Sequence, residues 1–288
     1  MKGDRTIYLL FFFGLFVTSV LILYPAYYAI ELSFFKADSF ISKPTWVGLS
    51  NYITVLTDQE FWAALGRGII FAGGAILFQI TFGIAFAMLL DSAIPWKPLV
   101  RGITVLPYLL PTVIVALIFQ WMLDDNIGVI TVGLKALGFE SISKWPNSPI
   151  ASMMIVILIS VWVWTPFVTV CCLAGLQSIP NELYDAAKVD GATPWQSFWQ
   201  ITIPQLRGIL TIIILLRAIW MFNKFDIIWL MTGGGPMHGT EHLPILAYRK
   251  AFEIYDVGNG ATISTISFFI LFVAILVYFW KFPIEDRY

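Results

Sequence analysis

Charge is the scarcest property of this 288-residue chain: Asp, Glu, Lys and Arg make up 12% of it, against about 25% in an ordinary soluble protein. Hydrophobic residues fill 59% and mean hydropathy is +0.82, so a water-soluble globule is excluded and a polytopic membrane protein is indicated. A net charge of -1 gives no general attraction to polyanions, which sets nucleic acid aside as a partner. Cysteine is nearly absent. Cys171 and Cys172 are neighbours in an apolar run, an arrangement that suits neither a disulfide framework nor a spaced metal site, and they read as small apolar residues. The chain also lacks the phosphate-binding G-x-x-x-x-G-K-[ST], the zinc-binding H-E-x-x-H and the nucleophile-bearing G-x-S-x-G. It therefore cannot hydrolyse ATP alone, and no catalytic residue is assigned. His238 and His242 share a helical face, but no third ligand follows in pattern, so no metal site is assigned either.

Long uncharged runs are what the chain has in abundance. A bilayer core needs about 20 apolar residues per helix, and six stretches qualify, at about 6–32, 68–90, 102–123, 150–176, 208–231 and 257–280. Backbone groups in lipid must be bonded within their own segment, so the expected fold is an all-α bundle of six transmembrane helices in one domain spanning 1–288. The first run is too long for a signal-peptide core and has no clear cleavage site, so it is expected to remain as a span. Six spans put both termini on one side. Placing them in the cytoplasm gives Lys2, Arg5, Lys97, Arg101, Lys188, Arg207, Lys281 and Arg287 inside, in shorter loops than the seven outside, Lys36, Lys43, Arg67, Lys135, Lys144, Arg249 and Lys250. In the first outer segment Trp46, Tyr52, Phe61 and Trp62 are expected at headgroup depth. Pro107 and Pro111 should kink the third span.

Three charges interrupt the fifth run. Intramembrane charges are costly and tend to face a bundle interior or water, so Arg217, Lys224 and Asp226 are candidates for a solute pathway. In a regular helix Arg217 and Lys224, seven apart, share a face. Asp226 lies about 200° around from Lys224, so those two should not pair. Asn223 and Trp220 put an amide beside an aromatic ring, for which sugar contact and an interhelical hydrogen bond are both open, and Trp164, also a pathway candidate, belongs to an aromatic-rich fourth span whose crowding is more often packing than a sugar platform. Beyond the run, Thr232-Gly-Gly-Gly-Pro236 reads as a tight, backbone-exposed turn.

The long polar stretch between the fourth and fifth apolar runs is 177–207. Pro180 suits the start of a short helix that Gly191 can close in a left-handed conformation. Thr193 and Gln196 form the capping box of a second, and Pro204 is expected to stop it. Ala186 and Ala187 are small enough to let another surface come close. This is a helix-turn-helix made for docking.

Asp185-Ala186-Ala187, Gly191, then Ile201-x-Ile203-Pro204 resembles the EAA signature of ABC importer permeases, E-A-A-x3-G-x9-I-x-L-P, with Asp for Glu and Ile for Leu. Trp46-Val-Gly-Leu-Ser-Asn-Tyr52, Gln177 to Glu182, Phe222-Asn-Lys-Phe-Asp226 and the TGGGP turn are similar to carbohydrate-uptake permeases of the maltose and glycerol-phosphate transporter type. The resemblance covers essentially the whole chain. It implies an inner-membrane importer subunit working by alternating access, with 177–207 as a cytoplasmic coupling element. It further implies a second related permease, two cytoplasmic ATPase subunits that carry ATP and magnesium, an external substrate-binding protein, and no cofactor in this chain. A permease for a polyamine or anion, or an autonomous secondary carrier, are the competing readings; the carrier would need an internal inverted repeat, which is not evident.

Overall fold

The computed structural model describes residues 2–38, 41, 43–92, 95–124, 126–138 and 145–282, with the backbone alone for 2–7. Lys144 and Arg287, used above for orientation, lie outside them, as do the side chains of Lys2 and Arg5. The elements in chain order are α1 (Lys2–Leu32), strands β1 (Phe35–Lys36) and β2 (Thr45–Trp46), α2 (Ser50–Thr57), α3 (Gln59–Asp91), α4 (Lys97–Leu109), α5 (Thr112–Met122) and α6 (Val129–Ala136). A 3-10 turn precedes α7 (Pro149–Gln177), then come α8 (Asn181–Val189), α9 (Pro194–Ser197), α10 (Ile203–Phe222), α11 (Asp226–Thr232), α12 (Leu243–Tyr248) and α13 (Val257–Lys281).

Five of these runs are long and apolar enough to cross a membrane, and a sixth crossing arises only if α4 and α5 count as one span. The expected third span is not a kinked helix but a broken one, bent by 93° between Leu109 and Thr112. Pro111 has no N–H for the ladder and pushes Leu110 into extended backbone (ψ 134), so the helix ends there and restarts. The fold is also not purely helical, because β1 and β2 pair antiparallel with Phe35 opposite Trp46.

The chain divides into two compact units. In the unit made of 1–64 and 243–272, the Asn51 amide donates to the Ser33 and Phe35 carbonyls, both at 2.9 Å, and the Thr262 hydroxyl donates to Ser33 at 3.1 Å. The first turn of α13 approaches so closely that a Cβ on Gly258 would sit 2.4 Å from the Phe35 carbonyl oxygen. Of the aromatic residues expected at headgroup depth, Phe61 is 1% exposed, whereas Trp62 is 54% exposed and donates its indole N–H to Leu56. Trp46 stacks on Phe34, and Tyr52 shares a hydrogen bond with Ser33. Arg249 and Lys250 form ion pairs with Glu60.

The unit made of 65–242 and 273–288 is built around α7, apolar on every side and buried over most of its length, as befits a central helix. Close approach is possible where side chains are missing. A Cβ on Gly83 of α3 would meet Val168 at 2.5 Å, and one on Gly175 of α7 would meet Leu206 and Ile209 of α10 at 2.6 Å. Around these points Ile84, Leu90, Cys172, Leu176 and Leu206 form one apolar cluster, which places Cys172 in the core as a small apolar residue.

Gly258→Ala is expected to lower the stability of the detergent-solubilised protein by about 1–3 kcal/mol, the usual cost of overpacking a site that cannot relax, read as a drop in its thermal unfolding midpoint.

Candidate functional site

Two sites emerge, one polar and surface-lying, one at the middle of the helices. The polar segment folds as the helix-turn-helix that its caps call for. Helix α8 starts after Pro180, which is its N-cap and not its first turn. Its end is a Schellman closure: Gly191, at φ +76, donates to Lys188, and Ala192 donates back to Ala187 at 2.9 Å. The capping box follows, with the Gln196 amide N–H reaching Thr193 Oγ1 and the Thr193 N–H donating to Gln196 Oε1 at 2.7 Å. None of α8 is buried. Asp185 and Ala186 lie exposed, Ala187 is half-buried, and Asp185 pairs with Lys188 at 2.9 Å.

Pro204 does not stop the second helix. Residues Phe198–Thr202 form a π turn, and α9 runs through it into α10 as one apolar run, Pro194–Phe222. A proline inside a helix removes a hydrogen bond and clashes with the carbonyl four residues earlier. Here the ladder shifts by one, the Ile203 N–H donating to Phe198, and the extra residue makes room for the ring. Ile201 and Ile203 pack against the Leu206 cluster while Pro204 stays exposed.

The second site lies where α3, α7 and α10 meet. Arg217 is 1% exposed, and its Nε donates to Gln79 Oε1 at 2.7 Å while Nη2 contacts Met221 Sδ at 3.6 Å. Its guanidinium lies 6.0 Å from the Trp164 ring and 5.6 Å from that of Trp220, within cation–π range. Lys224 Nζ sits 4.0 Å over Trp164. Arg217 and Lys224 thus share Trp164 as a partner, although Lys224 lies beyond the end of α10. Lys224 and Asp226, expected not to pair, do so at 3.0 Å. The expected span through Met231 ends at Phe222, with Asn223 as C-cap donating its side-chain amide to Ile219 at 3.1 Å; α11 then begins at Asp226, whose acid suits a helix N-terminus. The 200° separation holds only for a continuous helix, and this one is broken. Trp220 meets Phe167 edge-on.

Sequence reading missed Gln79 and Ser160. Gln79 is fully buried and also donates to the Ser160 carbonyl at 3.2 Å, and the Ser160 hydroxyl is buried beside it. A glutamine in an otherwise apolar span was the available signal. A separate apolar cavity of about 410 Å3 lies between α3, α4 and α7, lined by Phe82, Phe86, Pro107 and Trp162.

The TGGGP turn is folded back more than its composition implied, with Gly234 buried. Thr232 and Thr240 share a 2.6 Å hydrogen bond, and Thr240 also donates to Gly235. His242 ends this segment against Phe71, and burial pushes its imidazole from 6.5 down to about 4, against an opposing pull from the Lys224 backbone.

Residues 79–282 match the family described as "Binding-protein-dependent transport system inner membrane component". Among curated proteins, the trehalose/maltose transport system permease protein MalF of Thermococcus litoralis is 33% identical over 262 residues, covering 91% of this chain and 88% of that protein. The diacetylchitobiose uptake system permease protein DasB of Streptomyces coelicolor is 34% identical over 230 residues, 78% and 70% of the two chains. Among solved structures, a chain of a bacterial alginate ABC transporter has the same fold, with a TM-score of 0.81, 21% identity, and 96% and 93% of the two chains covered.

Gln79→Leu is expected to destabilise the protein by about 3 kcal/mol, because it strands a buried guanidinium, whereas adding Arg217→Met should restore part of the loss in the same unfolding assay. Stability should also fall as pH drops from 6.5 towards 4, since the unfolded His242 takes up a proton there that the folded one refuses; His242→Leu should flatten that part of the pH–stability curve.

Proposed function

We propose, from the premise that this chain belongs to the family of binding-protein-dependent transport system inner membrane components, that it is the membrane-embedded, multi-pass permease subunit of an ATP-driven importer for a sugar. Two relatives are named for trehalose and maltose and for diacetylchitobiose, which supports a carbohydrate cargo. The observation that carries the reading is continuity. The exposed segment with Asp185, Ala186, Ala187 and Gly191 runs, through Ile201, Ile203 and Pro204, into the same helix that bears Arg217 and Trp220.

In this reading the termini and the helix-turn-helix face the cytoplasm of a bacterial cell, and α8 docks on one of two ATPase subunits that hold ATP and magnesium. A second, related permease completes the pore, and an external binding protein delivers the sugar. Trp164, Trp220, Asn223, Lys224, Asp226 and Arg217 line the route. Aromatic faces stack on the apolar side of a pyranose, and the Lys224–Asp226 pair offers a charged donor and acceptor to neighbouring hydroxyls. Alternating access follows if motor closure moves α8 and the helix attached beyond it as one piece.

The test is uptake by the complete transporter in proteoliposomes, with trehalose, maltose, diacetylchitobiose, glycerol phosphate and spermidine as probes. Sugar uptake should require ATP and the binding protein, and this chain alone should neither transport nor hydrolyse ATP; spermidine uptake in place of sugar would overturn the substrate class. Gly191→Trp tests docking, because a Cβ there meets nothing within 4 Å in this chain, and the strain that the left-handed backbone (φ +76) puts on any side chain is controlled by a second substitution. It should abolish uptake with membrane insertion intact, while Gly191→Asn, which tolerates left-handed backbone, should retain it. Trp164→Ala should cut uptake by about tenfold, the scale of a lost aromatic contact, with ATP hydrolysis by the motor preserved.

A further inference from the structure

The helix α8 buries none of its residues, and of its nine only Tyr184 and Ala187 are even half-buried. Tyr184 is the side chain by which it reaches the apolar core. The Tyr184 ring packs on the apolar cluster of Cys172, Leu176, Ile179 and Leu206, and its hydroxyl shares a 2.9 Å hydrogen bond with Thr202 Oγ1. Thr202 is the last residue of the π turn, is 4% exposed, and its hydroxyl also reaches the Ser197 carbonyl at 3.4 Å, at the other end of that turn. With Thr202 donating to Ser197, Tyr184 donates to Thr202, and the pair spans the turn.

A π turn holds one residue more than an α turn, so relative to a plain α turn its geometry re-aims everything beyond by about 100° and about 1.5 Å along the axis. Everything beyond is α10, whose Leu206 and Ile209 lie so close to Gly175 that a Cβ there would meet them at 2.6 Å, and which carries Arg217 about 22 Å beyond the turn. We propose that the Tyr184 hydroxyl is a positioning group for transport: through Thr202 it sets the register of the π turn, and so converts displacement of α8 into rotation of the helix that bears Arg217. This rests on the docking of α8 proposed above.

The test uses the complete reconstituted transporter and whichever of trehalose, maltose and diacetylchitobiose the wild type imports. Sugar imported per ATP hydrolysed is measured for Tyr184→Phe, Thr202→Val, the double variant and Thr202→Ser, on complexes of wild-type yield and melting temperature. Each of the first two should lower the ratio by about fivefold, the scale of one hydrogen bond. The double variant should be no worse than either single, since both remove the same interaction, and Thr202→Ser should restore the wild-type ratio. An unchanged ratio in Tyr184→Phe, multiplied losses in the double variant, or failure of Thr202→Ser would each overturn the proposal; if Thr202→Val does not assemble, Tyr184→Phe against wild type decides. Gly191→Trp separates the two levels. If it loses uptake while Tyr184→Phe keeps its ratio, docking stands and the latch falls; if Gly191→Trp transports normally, both fall.

Discussion

A polar group held between apolar helices has to find its partner inside the protein, because neither lipid nor packed side chains can replace water. That requirement shapes each place where this chain departs from a straight helix. Arg217 is tolerable in the core because Gln79 accepts from it and two indole rings face it. Asn223 ends α10 by bonding its own preceding turn, and the freed chain lets Lys224 reach Asp226. Asn51 plays the same part in the other unit by holding two backbone carbonyls, of Ser33 and Phe35, at once. Where backbones approach closely, at Gly83, Gly175 and Gly258, the absence of a side chain is what makes the approach possible.

Prolines act on the same ladder with different outcomes. Pro111 breaks its helix because the residue before it is driven to extended backbone and a sharp bend follows. Pro204 is absorbed, because a π turn supplies an alternative acceptor one residue back and the Thr202 hydroxyl supports the widened turn. The functional consequence lies in the second outcome. A stop at Pro204 would separate α9 from α10, whereas the observed run Pro194–Phe222 joins the second helix of the polar segment to the helix that bears Arg217.

In the proposed reading the two sites belong to one mechanical element. The surface end is small, exposed and capped, which suits a socket; the interior end is aromatic and cationic, which suits a hydroxylated solute. Between them, Gly175 and the cluster around Leu206 hold α10 against the central helix, as a fulcrum would.

The sequence alone determined the membrane class, the rough places of the apolar runs, the caps at Gly191, Thr193 and Gln196, and the spacing from Asp185 to Pro204 that carries the family resemblance. These are local or periodic properties, set by the chemistry of residues within a few positions of one another. The tertiary structure decided the broken third span, the π turn, the end of α10 at Asn223, the pairing of Lys224 with Asp226, the burial of Phe61, and the place of Gln79 beside Arg217. Each depends on how a neighbouring helix satisfies or fails to satisfy a backbone or side-chain group, and Gln79 and Arg217 are 138 positions apart in sequence. A helical wheel assumes an unbroken helix; the angle between Lys224 and Asp226 failed as a guide because a cap and a new helix start lie between them.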